Sequence, residues 1–388
     1  MTVLDVRLAA QDREGQPGPE VIFREAKRRQ LRRRLAVGGA LVSVVAFVAT
    51  LVSAVASGTG TAPPRRATVP SAHPHAAASL RWQRVVTTSA PSPRDSAPAA
   101  YDPATGQLVL VGGFRAGGTR PTILGDTWVF AHNAWSKISS GPVPPTGTQP
   151  DALAYDPVRR TLILVTAPTY VVGSTSVTRP PTTWFWTGSR WSMLFASGPA
   201  WGTGSAPSGS GSALMAYDAF THQLVFVGHA DQPSGPMPST YVLGPSGWLA
   251  ESEPPYLSDI AYDPASQLLV GQTGSSGSMW WWTGESWQVL DRYVTGIFGS
   301  STNWVTDWST RRIVAMGHIA TVAFGFPYLF EFSRGAWHSI DVAMHPAPAN
   351  PQYFSLAYDD AVGGIVAFGR SGTRTRGRDD TWELVRAP

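Results

Sequence analysis

One unit recurs from residue 81 onward, and it constrains the fold more than any other feature of the chain. It opens with an apolar stretch ending in Tyr-Asp. A short polar turn and a second apolar strand follow. A variable loop then leads to an aromatic strand, a tight turn, and a Trp that begins a last strand. The Tyr-Asp steps are Tyr101-Asp102, Tyr155-Asp156, Tyr217-Asp218, Tyr262-Asp263 and Tyr358-Asp359, with a degenerate sixth at Thr306-Asp307. The closing tryptophans, Trp135, Trp191, Trp248, Trp287 and Trp337, are 56, 57, 39 and 50 residues apart.

Four short strands in about 50 residues is the period of a propeller blade. Runs such as LVLV (108–111) and LILV (162–165) are apolar on both faces, as expected of a strand sandwiched between neighbouring blades. Gly or Asn in the third turns (AHNAW, TGSRW, GPSGW, TGESW, SRGAW) suits tight hairpins. The tryptophans read as packing between blades. The last unit has no fourth strand after Asp380-Thr381-Trp382, whereas Arg81–Val86 is a lone fourth-strand pattern at the other end of the repeat region. The expectation is an all-β, six-bladed propeller of four-stranded blades, closed by this N-terminal strand so that no blade edge is left open.

The pattern YDPATGQLVLVGG, GDTWVF and Trp135 in the first unit closely resembles a kelch repeat, and 81–388 resembles the kelch or galactose-oxidase-central-domain type of propeller. Units one and six match best. Units two to five lose the Gly-Gly pair or the Asp-Thr-Trp start. The resemblance implies the fold; it implies no oxidase, because that family's cofactor needs a Tyr crosslinked to Cys and the chain has no Cys. Gly228-His229 and Gly317-His318 lack the Trp-Asp partner of WD40 repeats, and sialidase Asp-boxes are missing.

Ahead of the repeats, Leu35–Ser57 is 23 residues without a charge, long enough as a helix to span a bilayer. Arg24, Lys27, Arg28, Arg29, Arg32, Arg33 and Arg34 precede it, and only Arg65 and Arg66 follow closely. The positive-inside rule puts the N-terminus in the cytoplasm. Ala54-Val55-Ala56 has the form of a signal cleavage site, but the apolar run exceeds a usual signal core, which favours an uncleaved anchor. The expected organisation is a basic cytoplasmic tail (1–34), a transmembrane helix (35–57), a Pro/Ala-rich linker (58–80) and an extracytoplasmic propeller (81–388) on a single-pass, membrane-anchored bacterial protein. The net charge of +4 lies wholly in residues 1–34, and the remainder is balanced. Nucleic acid is therefore not an expected partner of the propeller.

The first-to-second and third-to-fourth turns are short and uniform and share one face. The second-to-third and fourth-to-first loops vary and share the other, where binding residues on a rigid scaffold usually lie. In the last unit that loop holds Arg370, Arg374, Arg376 and Arg378; in the first it holds Arg115 and Arg120. Ring closure makes these units neighbours, so the six arginines form a candidate site for phosphates or carboxylates of an envelope polymer, or for an acidic protein partner. The plain alternative is solvated loop charges with local ion pairs. His229 and His318 sit at equivalent strand ends and make no metal site. Neither GxSxG nor HExxH occurs, and the placeable Asp residues read as turn caps. No catalytic residue, cofactor or metal is expected. The reading is a membrane-anchored binding or scaffold propeller for a protein or envelope polymer. The alternative is a cell-envelope carbohydrate-active enzyme whose carboxylates line the central channel.

Overall fold

The structure, a computed structural model, describes residues 80–388 apart from the last two residues and a series of internal stretches, the longest of them 200–212 and 344–353. The proposed tail and anchor, and the linker but for Leu80, lie outside the described residues. No described helix is long and apolar enough to cross a membrane.

Six antiparallel sheets form six blades, and each begins with a strand that ends in the repeat's Asp. These first strands are Ala99–Asp102, Ala152–Asp156, Leu214–Asp218, Leu257–Asp263, Phe298–Asp307 and Phe354–Asp359, for blades I to VI. Each contacts the first strand of the next blade, and the strand of blade VI returns to contact that of blade I. The six therefore ring a central axis. The second strands are the driest part of the protein: Val109, Leu110, Val111 and Leu162 to Val165 are fully buried. The same sequence runs that are apolar on both faces thus sit between two neighbouring blades, as their pattern demands.

Blades I to V take their fourth strands from Ala134–Ile138, Trp191–Phe195, Trp248–Ala250, Trp287–Asp291 and Ala336–Ser339. Blade VI takes its fourth strand from Leu80–Val85, antiparallel to Arg378–Arg386, with Trp82 opposite Leu384. The expected N-terminal closure is therefore present. A short extra strand, Val342–Ala343, pairs in parallel outside it, with Val342 opposite Leu80, so blade VI has a fifth strand that the repeat pattern does not contain. Two arginines fasten the incoming chain. Arg84 Nε donates to Asp380 Oδ1 at 2.8 Å. Arg94, almost wholly buried, donates to Asp126 Oδ1 at 2.7 Å and to the Gly112 carbonyl at 2.8 Å.

Two devices repeat around the ring. At each first-to-second turn the buried Asp accepts from the backbone two residues on, as at Asp102 (Ala104 N–H, 3.0 Å), Asp218 (Phe220 N–H, 2.9 Å) and Asp307 (Ser309 N–H, 2.9 Å). Four residues after every such Asp the chain turns left-handed, at Gly106, Arg160, His222, Gln267, Arg311 and Gly363, with φ between 56° and 68°. The degenerate Thr306-Asp307 thus behaves as a full repeat member. The second device joins blades. The closing Trp of one blade donates its indole N–H to a Thr in the third strand of the preceding blade: Trp191 to Thr127 (3.0 Å), Trp248 to Thr183 (2.9 Å) and Trp287 to Thr240 (2.9 Å). Trp135 bonds Thr381 of blade VI in the same way at 2.8 Å. In blades IV and V the Thr position is Met279 and Leu329, and there Trp337 and Trp82 pack in apolar clusters with those side chains instead.

Candidate functional site

The end of each first strand carries the repeat's most polar step, and the ring brings all six ends together at one mouth of the central channel. The cavity there measures about 460 Å³ and is lined by residues of all six blades. Its wall is built from the repeated step Ala-Tyr-Asp. The small side chains of Ala100, Ala154, Ala216, Ala261 and Ala357 permit close approach of the strands, while Tyr101, Tyr155, Tyr217, Tyr262 and Tyr358 form the wall nearer the turns. In blade V, Val305 and Thr306 take these places, and the turn residue Trp308 supplies the missing ring. It stacks on Tyr262 at 5.9 Å, with 26° between the planes, and is half exposed.

The aspartates of the step do not enter the cavity. They are buried behind it as turn caps, and among the described residues Asp360 is the only carboxylate on the wall. The electrostatics follow. Burial first, and then the Asp charges, push the phenols up, Tyr262 to about 12. Tyr101, Tyr155, Tyr217 and Tyr358 shift the same way for the same reasons. These groups are neutral hydrogen-bonding phenols at any physiological pH. Burial also raises Asp218 to about 6, against the hydrogen bonds of Thr221 and Phe220 that lower it. Burial and then Asp359 raise Glu383, which lies within blade VI between Gln83 and Val366 and not among the channel-lining residues. Among the described residues no group of His, Asp or Glu could hold a metal ion.

The opposite face carries the variable loops. Blade I extends there as the hairpin Phe114–Arg115 with Thr122–Ile123, and blade II as Thr169–Val172 with Thr175–Thr178. Of the six candidate arginines, Arg115 is on the first hairpin and exposed. Arg370 and Arg378 are on adjacent strands of blade VI, where the backbone register sets Arg370 opposite Asp379 and Ser371 opposite Arg378. Arg120, Arg374 and Arg376 lie outside the described residues. Of the acidic residues that begin the adjoining third strands, Asp126 and Asp380 bond Arg94 and Arg84. His229 and His318 fall within the second strands of blades III and V, near their loop-face ends. Sequence reasoning treated Tyr-Asp as a turn signal and missed the tyrosine ring. The signal was present in the Ala before each of the five Tyr-Asp steps, which is the small residue a ring of six inner strands needs.

No family model matches the chain, and no curated protein matches it. Solved structures resemble it in fold. A fungal lectin of Aleuria aurantia, described as a six-bladed β-propeller with a novel fucose recognition mode, is 14% identical over 77% of this chain and 98% of its own, with a TM-score of 0.42. A gluconolactonase from Xanthomonas campestris is 12% identical over 76% of this chain and 86% of its own, with a TM-score of 0.43. A Bacteroides thetaiotaomicron protein of unknown function reaches a TM-score of 0.47 at 10% identity, covering 79% of this chain and 76% of its own. At these identities the likeness concerns the fold and transfers no activity.

Proposed function

We propose that this protein is a membrane-anchored, extracytoplasmic binding or scaffold propeller of the kelch or galactose-oxidase-central-domain type. One observation carries the reading: among the described residues the channel wall is mainly Ala, aliphatic and aromatic, with Asp360 as its single carboxylate and no paired acids for glycoside hydrolysis. A channel wall without paired acids favours the variable loop face as the place where a polymer or protein partner is recognised. The Asp-Thr-Trp starts at Asp126 and Asp380, in both of which the Thr hydroxyl accepts the indole N–H of the next blade's closing Trp, support the kelch-type assignment.

Recognition then falls to the arginines of two blades that ring closure makes neighbours: Arg115 and Arg120 on blade I, and Arg370, Arg374, Arg376 and Arg378 on blade VI. Their chemistry suits phosphates or carboxylates of an envelope polymer, or an acidic protein surface. The chain enters blade VI at Leu80, opposite Arg386 at the turn-face end of the neighbouring strand.

The test is binding of the full-length protein in neutral detergent to polyphosphate and to polygalacturonate, against the variant carrying Arg370, Arg374, Arg376 and Arg378 all changed to Ser. Affinity that falls with salt and drops at least about tenfold in the variant supports the reading. Unchanged binding removes the arginine site. Glycan cleavage that survives the Arg changes and is lost in Asp360→Asn would instead favour the carbohydrate-active enzyme.

A further inference from the structure

The aromatic mouth of the channel is on the face opposite the loops, and the loop-face reading leaves it unused. We propose that this mouth binds a small organic cation with an apolar body, of the quaternary-ammonium class. Two independent features point there.

The first is the wall. Tyr101, Tyr155, Tyr217, Tyr262, Tyr358 and Trp308 all line one cavity of about 460 Å³, within the ordinary size range of small-molecule sites. Aromatic rings gathered around one space attract a cation through their quadrupoles, and a soft, weakly hydrated ammonium gains most because it loses little water on entry. The rest of the wall is aliphatic: Leu153, Met215, Ile260 and Leu356 line it between the alanines. Such a surface suits the methyl groups of a quaternary ammonium.

The second is the charge around the mouth. Asp102, Asp156, Asp218, Asp263, Asp307 and Asp359 sit directly behind it at the turns, and Asp360 is on the wall itself. The tyrosine phenols respond to these carboxylates, since Asp charges add to burial in raising all five. Among the described residues the opposing cations are fewer. Arg159 is paired with Asp156 at 2.6 Å and also holds the Gly244 carbonyl. Arg311 donates to the Pro264 carbonyl. Arg160 is near enough to Tyr155 to lower its phenol partly. The balance at the mouth is negative, which disfavours an anion. A neutral sugar is also poorly served, because part of the wall's hydrogen-bonding capacity is taken: the Thr306 hydroxyl donates to the Tyr262 carbonyl, and the Tyr217 hydroxyl lies 3.2 Å from His222 Nδ1.

The experiment titrates full-length protein in maltoside micelles with choline and, in parallel, with its neutral isostere 3,3-dimethyl-1-butanol, reading tyrosine and tryptophan fluorescence. Choline is expected to saturate the signal and to bind about tenfold tighter than the isostere, with the preference shrinking as salt is raised. Trp308→Ala removes a half-exposed ring, and Asp360→Asn removes only a charge, so neither threatens the fold. The first is expected to weaken choline at least about fivefold, and the second to weaken choline while leaving the isostere unchanged. Equal affinity for the two compounds, or no saturable change with either at roughly 10 mM, would overturn the proposal. So would choline binding that is indifferent to both substitutions. Loss of the arginine site on the loop face would leave every arm of this test intact.

Discussion

The indole N–H of Trp135 donates to the hydroxyl of Thr381 at 2.8 Å, across 246 residues of chain, and joins the first blade to the last. The same bond links blades I to II, II to III and III to IV, through Thr127, Thr183 and Thr240. Thr381→Val keeps the shape and leaves a buried N–H without its acceptor. A loss of about 1–3 kcal/mol in unfolding free energy is expected, measured by urea titration. Thr381→Ser keeps the hydroxyl and should recover most of it. Equal stability of the Val variant and the parent would show that the ring is held by packing alone.

Closure by the N-terminal strand makes a sharper prediction about length. A chain beginning at residue 76 retains Leu80–Val85 and should fold to a monomeric β-protein with a cooperative melt. A chain beginning at residue 87 loses Trp82, which is buried against Leu384 and Trp382, and exposes the edge of Arg378–Arg386. It should aggregate or melt without cooperativity. Size-exclusion chromatography and circular dichroism decide between the two outcomes.

The left-handed position after each turn Asp is Gly in two blades and a larger residue in four. At Gly363 an added Cβ meets nothing within 4 Å, so the cost of Gly363→Ala comes from its φ of +63° alone. About 1 kcal/mol of destabilisation is expected. Gln267 holds a φ of +60° with a side chain present. Gln267→Gly relieves that conformation and should be neutral to stabilising by a few tenths of a kcal/mol, the gain being limited by the unfolded-state entropy of Gly. Thermal melts of both variants, read together, test the repeat geometry at two blades.

The contributions of two aspartates should together peak near pH 4. Burial pushes Asp126 up, but the Arg94 and Trp128 hydrogen bonds and the Arg94 and Lys137 charges prevail and hold it at about 2, below its ordinary 3.8. Its contribution is present above pH 3.8 and disappears as pH falls toward 2. Asp218, raised to about 6, behaves oppositely: its protonated form favours the fold, so that contribution is complete below pH 3.8 and disappears as pH rises through 6. Asp218→Asn should flatten the stability profile between pH 4 and 6 by about 1–2 kcal/mol, and Arg94→Met should flatten it between pH 4 and 2. Urea midpoints across that range check both. A parent profile that is flat over both windows would contradict the two assignments.

The Tyr-Asp and Trp spacing made the blade count, the strand order and the closing strand legible, because each is a periodic consequence of residue type. Even Thr306-Asp307 was readable, since the Asp alone sets the turn. The Thr that accepts each indole was not: in sequence it is an ordinary strand residue, and its role exists only once a neighbouring blade brings a Trp to it. Arg94 was equally silent, a single arginine in a Pro/Ser stretch that becomes a buried fastener only when Asp126 and the Gly112 carbonyl surround it. The channel wall lay between these cases. The Ala before each Tyr-Asp was visible, but the convergence of five tyrosines needs the ring. Val342–Ala343 had no signal at all, because two residues carry no period.

The most direct test of the binding role is crosslinked co-purification of the full-length protein from native membranes, beside a form lacking residues 81–388 and the form with Arg370, Arg374, Arg376 and Arg378 changed to Ser. The account predicts a protein or anionic polymer that is recovered with the parent, absent without the propeller, and lost or strongly reduced with the Arg changes. Equal recovery by the parent and the truncated form would contradict a binding propeller. Recovery that depends on residues 81–388 but ignores the arginines would contradict the loop-face site.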